Sequence, residues 1–363
     1  MKISFFVNGS PDNVMGIRAK GLARFLSSRC TIDMVYRDEK KLRSLIRFFS
    51  AARKTRPDII QVVGIGYSGV IAAIAAKAVL GSKVVIDTGD AVYELLKSSG
   101  NVSFLQCQMA RLVEKAALTF SDRIVVQGSL HKEWLEQNGY RQVAHIPNGV
   151  DTTSIRPSNN EDLRDQLSIN GHFTVGVMGS IVWSDRLAMC YGWDLIEALS
   201  LLKDIPVKGL IIGDGSGLPK LKQLAYEKDI QDRVIFAGHV PYSQIHGYLD
   251  LMDVCLSTQT NNLAGEVRTT AKLPEYLARG KYVIATEVGD AKYILPGIGM
   301  LLPYEGEKDR DYPKRLAERI RWLIDHKPEL EKSKAGIQLA KERFDYPVLA
   351  RQLEEVLEGA LKG

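Results

Sequence analysis

The chain has 363 residues, of which 45% are hydrophobic and 25% are charged. This length suggests two domains, and the apolar fraction excludes a wholly disordered or fibrous chain. No apolar run approaches the roughly 20 residues of a membrane-spanning helix, and the first ten residues have too short an apolar core for a secretory signal. The four cysteines are dispersed without a CxxC pair, which argues against a disulfide scaffold or a thiolate zinc site. We therefore expect a cytoplasmic protein.

The charge of the chain is unevenly distributed. The formal net charge is +5, but residues 1–57 alone contain 13 Lys/Arg and only 4 Asp/Glu. Such asymmetry favours a first domain that faces something anionic, either nucleic acid or a lipid headgroup surface. The sequence lacks the aromatic-plus-basic modules of RNA-binding proteins, so we expect no nucleic acid partner.

Strand-like apolar runs alternate with amphipathic helical patterns along the whole chain. The first series of predicted strands comprises residues 2–7, 31–36, 58–63, 83–87, 123–126 and 142–146. After a polar break at residues 156–171, a second series comprises residues 174–178, 207–212, 234–236, 254–256 and 282–285. The last predicted helices cover residues 312–324, 329–343 and 348–361. This alternation predicts an α/β protein with two Rossmann-like doubly wound domains that face a cleft.

Residues 39–56 form a basic, amphipathic helical pattern. Leu42 and Ile46 share one face, while Lys41, Arg43 and Arg47 lie around it. One interpretation is simple packing of the apolar face on the domain's own sheet. The alternative is peripheral contact with an anionic membrane, which would suit an acceptor attached to a lipid. The segment at residues 102–118 carries the same two interpretations.

A literal GxGxxG motif spans Gly64, Gly66 and Gly69, and Asp87 ends the next predicted strand. This context is typical of a dinucleotide site, in which the glycines approach a pyrophosphate and the carboxylate binds a ribose. However, the motif follows the third strand of its domain instead of the first. We favour a glycine-rich turn that allows close packing, and keep an NAD-dependent oxidoreductase as an alternative.

The segment at residues 268–280 has the pattern of a capped helix at a strand-to-helix junction. Thr269 and Thr270 are good N-cap residues, and Gly280 ends the helix. Arg268, Lys272 and the helix dipole suit a diphosphate, and Glu275 suits ribose hydroxyls. A capped helix with a solvated face is the equally weighted alternative for this segment alone.

An ordered set of motifs resembles the retaining GT-B glycosyltransferases of the family-4 type, along nearly the whole chain. The motifs are FTVGVMG at 173–179, GWDLIEAL at 192–199, LIIGDG at 210–215, DRVIFAGHV at 232–240, KLPEYLARG at 272–280, SDRIVV at 121–126 and IPNGVD at 146–151. The resemblance implies an acceptor-binding domain at residues 1–168, completed by a C-terminal helix at 345–363 that crosses back to it. It also implies a nucleotide-sugar domain at residues 169–344.

By this resemblance the chain transfers a sugar from a nucleoside-diphosphate sugar, such as a UDP- or GDP-sugar, with retention of anomeric configuration. No metal and no cofactor are implied. The implied donor-binding residues lie at strand ends and on the helix at 272–280. They are Gly179, Ser180, Arg186, Gly213, Val240, Arg268, Thr269, Thr270, Lys272, Leu273 and Glu275.

The sequence departs from the family pattern at several positions of the implied site. Ser180 follows Gly179 where an arginine is frequent, so Arg186 is our candidate substitute on the diphosphate. Glu266 lies nine residues before Glu275 instead of eight, and we expect it to act on the sugar hydroxyls. The family histidine at the end of the fourth strand is replaced by Gly89 or Asp90.

Asp90 is our candidate for orienting donor or acceptor, with a helix N-cap as its alternative. The candidate acceptor-binding residues lie in the first domain and are Gly16, Gly64, Gly66 and Tyr93. The acceptor is expected to be a glycan, a lipid-linked molecule or a small molecule. A catalytically silent nucleotide-sugar-binding relative and an epimerase on the same architecture remain as further alternatives.

Overall fold

The computed structural model describes residues 1–155 and 160–362. The predicted polar break at residues 156–171 therefore lies partly outside the described residues. The domain boundaries drawn at residues 168 and 344 remain a prediction.

The first half of the chain forms one parallel sheet. Its strands are β1 (Lys2–Val7), β2 (Thr31–Tyr36), β3 (Ile59–Val63), β4 (Lys83–Thr88), β5 (Arg123–Val126) and β6 (Val143–His145). They are hydrogen-bonded in the order β2-β1-β3-β4-β5-β6. The connecting helices are α1 (Val14–Phe25), α2 (Lys41–Thr55), α3 (Tyr67–Leu80), α4 (Val92–Ser99), α5 (Phe104–Phe120) and α6 (Ser129–Gln137).

Alternate residues of the central strand β1 face opposite layers of helices. Phe5 packs in a cluster with residues of α1, whereas Phe6 packs in a second cluster with Phe48 of α2 and Ala73 of α3. This follows from the period of two in a strand, and burial on both faces explains the continuous apolar runs of the sequence.

The second half repeats this architecture. After α7 (Glu161–Gln166), its elements are β7 (Phe173–Met178), α8 (Trp193–Ser200), β8 (Val207–Ile212), α9 (Leu218–Glu227), β9 (Val234–Gly238), α10 (Tyr242–Asp250), β10 (Val254–Ser257), α11 (Leu263–Glu266), α12 (Lys272–Ala278), β11 (Tyr282–Thr286), α13 (Ala291–Ile294), β12 (Met300–Leu302), α14 (Tyr312–Asp325), α15 (Ala335–Arg343) and α16 (Tyr346–Lys362). The strands form a parallel sheet in the order β12-β11-β10-β7-β8-β9. Two 3₁₀ segments, Gln231–Arg233 and Lys327–Lys334, complete it.

The last helix returns to the first sheet, as expected. α16 packs against α1, and its Leu349, Leu353 and Leu357 belong to the same buried cluster as Ile3 and Phe5 of β1. The return is fixed by a parallel bridge between Val150 and Asp345. The fold class predicted from the sequence is confirmed. It consists of two Rossmann-like sheets and a C-terminal helix that crosses back.

Two details of the predicted elements are corrected. The three-residue strand β12 was not predicted, because so short a run carries no periodicity of its own. The region predicted as one helix at residues 329–343 begins as the 3₁₀ segment Lys327–Lys334 and continues as α15.

Candidate functional site

The carboxyl ends of the strands in both sheets meet at the interface between the two halves. Arg268 of the second half pairs with Asp90 of the first, with Nε and Oδ1 2.8 Å apart. Asn148 donates from Nδ2 to the backbone oxygen of Thr269 at 3.0 Å. In open α/β sheets ligands bind at this edge, so the candidate site lies where these contacts join the two halves.

Glycines bring the turns after β7 and β8 into close contact. Gly179 and Gly213 have φ angles of +156° and +141°. A Cβ atom on Gly213 would lie 1.9 Å from the backbone oxygen of Gly179, so no side chain fits at position 213. These turns therefore expose backbone to the cleft where an anionic group can approach.

Lys272, in the first turn of α12, points toward this glycine turn. Its ammonium lies 3.6 Å from the centre of the Tyr191 ring and 3.3 Å from where a Cβ of Gly179 would be. The Tyr191 hydroxyl donates to the backbone oxygen of Leu256 at 2.7 Å, which holds the ring in place. Burial, and secondarily the positive charge of Arg268, lowers the pKa of Lys272 to about 7.

Glu275 is buried one turn further along α12. Its carboxylate accepts a hydrogen bond from the Tyr242 hydroxyl at 2.6 Å, and its other oxygen lies 3.1 Å from Nε2 of His246. Val240 is also buried, and Leu273 belongs to the apolar core beneath the helix. The structure thus places Lys272 and Glu275 on the same short helix, at the end of the sheet that faces the first domain.

The two threonines before α12 are not its N-caps, contrary to the expectation. The N-cap position is Ala271, which makes no side-chain capping bond. Thr269 instead donates from Oγ1 to Asp290, and Thr270 Oγ1 lies 3.4 Å from Ser257 Oγ. Asp290 also accepts from the backbone N–H of Ser129 at the start of α6, at 2.9 Å. Thr269 therefore belongs to a contact between the two halves.

Asp90 is not the N-cap of α4, which removes the alternative weighed for it. The N-cap position is Ala91. The N–H groups of Val92 and Tyr93, at the start of the helix, donate to the buried carboxylate of Glu114. Burial raises the pKa of Glu114. Asp90 is left to pair with Arg268 across the interface.

Glu266 and Arg186, both proposed for the donor, have protein partners in this structure. Glu266 pairs with Lys292, with Nζ and Oε2 2.9 Å apart, and accepts from the N–H of Gly289 at 2.9 Å. Arg186 pairs with Glu307 and donates from Nε to the backbone oxygen of Ser98 at 2.8 Å. The structure does not bring these two side chains together with Lys272. Exposed Ser180 lies beside Gly179 on the glycine turn.

The glycines of the GxGxxG motif pack against protein atoms. A Cβ on Gly64 would lie 2.4 Å from Sδ of Met15, and one on Gly66 would lie 2.9 Å from Cγ of Asn8. Asp87 is fully buried in an ion pair with Arg18, with Nε 3.0 Å from the carboxylate. These contacts support the packing interpretation of the motif.

The remaining acceptor candidates lie at the first sheet. Gly16 lies close to the backbone of Ser10, because a Cβ atom on Gly16 would be 2.3 Å from the backbone oxygen of Ser10. The Tyr93 ring lies beneath two cations, with Arg111 5.3 Å and Lys97 5.8 Å from its centre.

His131 is a residue near the cleft that the sequence did not reveal. It is buried in α6, its Nδ1 has no hydrogen-bond partner among the described residues, and the charge of Asp90 acts on it. Burial lowers its pKa to about 4, so the ring is neutral at physiological pH. Only the adjacency of β4 and β5 in the sheet brings it near Asp90.

The described residues contain neither a cluster of metal-ligating side chains nor a membrane-spanning helix. No group of three or more His, Cys, Asp or Glu side chains within residues 1–155 and 160–362 is arranged to hold a metal ion. In the same ranges, no helix combines the length and apolarity needed to cross a bilayer.

The fold and the interdomain site define a GT-B protein. Residues 173–326 match the sequence model of the family described as "Glycosyl transferases group 1". This match lies in the second half of the chain, and five of the motifs listed from the sequence fall wholly within it. HepE from Anabaena, solved in complex with UDP-glucose, has the same fold. Its TM-score is 0.79 at 18% identity, over 99% of this chain and 100% of HepE.

Two curated relatives extend the comparison. The gpi3 subunit of the phosphatidylinositol N-acetylglucosaminyltransferase of Schizosaccharomyces pombe is 25% identical over 221 residues, 60% of this chain and 44% of the relative. The GDP-mannose-dependent alpha-(1-6)-phosphatidylinositol monomannoside mannosyltransferase of Mycobacterium tuberculosis is 26% identical over 220 residues, 59% of this chain and 55% of the relative. The chain thus spans about half the length of the curated relatives it matches.

Proposed function

We propose that this chain transfers a sugar from a nucleoside-diphosphate sugar to a lipid-linked acceptor, with retention of anomeric configuration and without a metal ion. The proposal rests on the match of residues 173–326 to the glycosyl transferase family and on one observation. That observation is the Lys272 ammonium at the glycine turn after β7, with no carboxylate partner among the described residues and only a tyrosine ring beneath it.

The chemistry requires stabilisation of a departing nucleoside diphosphate. Negative charge builds up on the diphosphate as its bond to the anomeric carbon breaks, and fixed cations near it lower the barrier. Lys272 would provide one such cation and Arg268 a second, after exchanging Asp90 for the diphosphate. Backbone N–H groups at the turn of Gly179 and Ser180 would complete the anion site.

The nucleoside would extend from the diphosphate along α12. Glu275 would accept hydrogen bonds from the ribose hydroxyls, and Val240 would lie beside the base. Glu266 would act on the sugar hydroxyls, once released from Lys292. Arg186 would reach the diphosphate only by leaving Glu307 and Ser98, so Lys272 is the stronger candidate.

The acceptor would bind at the first domain, around Gly16, Gly64, Gly66 and Tyr93. The two curated relatives are named for phosphatidylinositol acceptors, which supports a lipid here. The outer helices of this domain expose apolar side chains, including Leu42, Ile46 and Leu112, of which Leu42 is 71% exposed. Exposed Arg43 and Arg47 lie among them on α2. This combination suits peripheral contact with an anionic leaflet.

A thermal-shift panel of UDP-, GDP-, ADP- and TDP-sugars tests the donor. A ligand at 100 times its dissociation constant stabilises the folded state by about 2.7 kcal/mol, so the true donor should raise the melting temperature clearly. Lys272→Met should abolish that shift. Lys314→Met, which removes an exposed lysine of α14, is the matched control. The donor assignment fails if no sugar nucleotide shifts the wild type or if Lys272→Met retains the full shift.

Incubation of the donor with phosphatidylinositol vesicles separates transfer from the alternatives. A glycosylated lipid with the donor's anomeric configuration supports the proposal. Donor that stays intact in the presence of every lipid would indicate a catalytically silent relative, and release of an altered free sugar would indicate an epimerase.

A further inference from the structure

The first domain contains a pocket that the donor chemistry does not use. It has a volume of about 210 Å³ and lies between the starts of α2 and α3 and the helices α4 and α5. One side is apolar, formed by Ile65, Val92, Leu96, Ala110 and Val113. The other side carries two cations, Arg37 and Lys41.

Both cations are available to a ligand. Arg37 and Lys41 are exposed, and neither forms a salt bridge within the described part of the chain, whereas nearby Arg43 pairs with Asp38 at 3.3 Å. The Lys41 ammonium lies 5.0 Å from the centre of the Tyr67 ring. Two unpaired cations at the mouth of one pocket favour an anion with more than one charged oxygen.

Backbone hydrogen bonds hold the main chain at Arg37 and at Lys41. The N–H of Arg37 donates to the oxygen of Val7 at 2.9 Å, which extends the pairing of β1 with β2. The Ser68 hydroxyl donates to the backbone oxygen of Lys41 at 2.7 Å and ties the start of α2 to α3. The segments that carry the two cations are therefore held next to the pocket.

The lining is unsuited to a sugar ring. Among the described residues, no carboxylate or carboxamide side chain lines the pocket. Its side-chain hydroxyls belong to Tyr67 and Ser68, and the Ser68 hydroxyl already donates to the backbone oxygen of Lys41. Hydroxyl-rich ligands need several such partners, whereas a hydrocarbon chain needs only apolar walls.

The surface of α5 beside the pocket continues its apolar character. Ala110 and Val113 line the pocket, and Met109 and Leu112 are the exposed large apolar residues next to them on the same helix. A ligand in the pocket therefore has exposed apolar side chains close by on this helix.

We propose that this pocket binds the phosphate and adjoining hydrocarbon of a lipid phosphate, with Arg37 and Lys41 on the phosphate. The inference rests on the proposed function, because it assigns the acceptor lipid to a defined part of the first domain. It narrows the acceptor to amphiphiles that carry a phosphate, and separates phosphate recognition from general attraction to an anionic leaflet.

The test measures binding of dihexanoylphosphatidic acid as dispersed monomers by isothermal titration calorimetry. We expect saturable binding to the wild type and a loss of about tenfold or more in affinity, about 1.4 kcal/mol, for the double variant Arg37→Gln/Lys41→Gln. Arg53→Gln, at the far end of α2, is the matched control and should bind as the wild type does. Val113→Trp, which fills the apolar side, should also weaken binding.

Inorganic phosphate and dihexanoylglycerol distinguish the parts of the ligand. Both should bind much more weakly than the lipid phosphate. Inorganic phosphate binding as tightly as the lipid would indicate a free-phosphate site and overturn the proposal, and so would equal losses in the double variant and in Arg53→Gln. UDP-sugar binding, measured in each variant, reports folding. If the wild type binds UDP-sugar but does not bind the lipid phosphate, the pocket assignment fails and the donor assignment stands.

Discussion

Arg268 and Asp90 form an ion pair across the two halves of the molecule, with 2.8 Å between Nε and Oδ1. Each comes from the carboxyl end of a sheet and was expected to touch substrate. In this structure they neutralise each other. A nucleotide sugar would therefore compete with Asp90 for Arg268.

Breaking this pair should change ligand binding more than stability. Partly exposed ion pairs contribute about 0–1 kcal/mol, so Asp90→Asn should lower the melting temperature by only a few degrees. Because Asp90→Asn frees Arg268, it should retain or improve the affinity for UDP, whereas Arg268→Gln should weaken it about tenfold or more. Calorimetric titration of UDP checks both variants. Equal losses in the two would show that the pair acts only by holding the halves together.

The affinity for UDP should fall as the pH rises above 7. Burial and Arg268 hold the pKa of Lys272 at about 7, below its usual 10.5, and a bound diphosphate favours the charged form. Binding above pH 7 therefore takes up a proton, and affinity can fall by up to about tenfold per pH unit. Titrations in buffers of different ionisation enthalpy measure the uptake. Lys272→Arg, charged throughout, should abolish it, and unchanged uptake in that variant would contradict the assignment.

Glu275→Gln should weaken UDP binding through the ribose. Hydrogen bonds to a charged acceptor contribute about 1.5–3 kcal/mol, which corresponds to a loss of about tenfold to a hundredfold. If the partner of Glu275 is the 2′-hydroxyl, the same substitution should change the affinity for 2′-deoxy-UDP only slightly. Tyr242→Phe, which removes one protein donor to Glu275, controls for a structural effect. A similar loss for both nucleotides would assign Glu275 to positioning of α12.

His131 should make the protein acid-labile between pH 6.5 and 4. Burial lowers its pKa from 6.5 to about 4, so in this window the unfolded chain binds more protons than the folded chain. Stability therefore falls as the pH drops, by up to about 3 kcal/mol from this group. Urea unfolding across this range measures the slope, and His131→Phe should flatten it. His326, which is exposed, provides the control variant His326→Phe.

Gly66→Ala should destabilise the fold without affecting nucleotide binding. The new Cβ would lie 2.9 Å from Cγ of Asn8, and such overpacking costs about 1–3 kcal/mol. UDP affinity should be unchanged, because the glycine turn of the donor site lies in the other domain. A selective loss of NADH or UDP binding at unchanged melting temperature would instead revive a nucleotide site at this motif.

The alternation of strands and helices was predictable because both sheets are buried on both faces. β3 and β11 are buried along their whole length and are mostly apolar, and such segments can be recognised from the sequence without knowledge of their neighbours. The family motifs then located α12 and its lysine and glutamate. Local patterns therefore sufficed to predict the fold and to place Lys272 and Glu275 on one helix.

The partners of individual side chains were not predictable, because they come from distant segments. Thr269 has the local signature of an N-cap, but Asp290 accepts its hydroxyl. Asp90 precedes α4, yet Glu114 of α5 satisfies that helix start. In each case a tertiary contact replaced the bond that local sequence favours.

The return of α16 to the first sheet has a consequence for synthesis on the ribosome. The layer that covers Ile3 and Phe5 includes residues made only after every strand of the second sheet. The part of the nascent chain that contains β1 must therefore keep an apolar face uncovered until α16 has been made, and during that interval chaperone capture or premature self-association competes with folding.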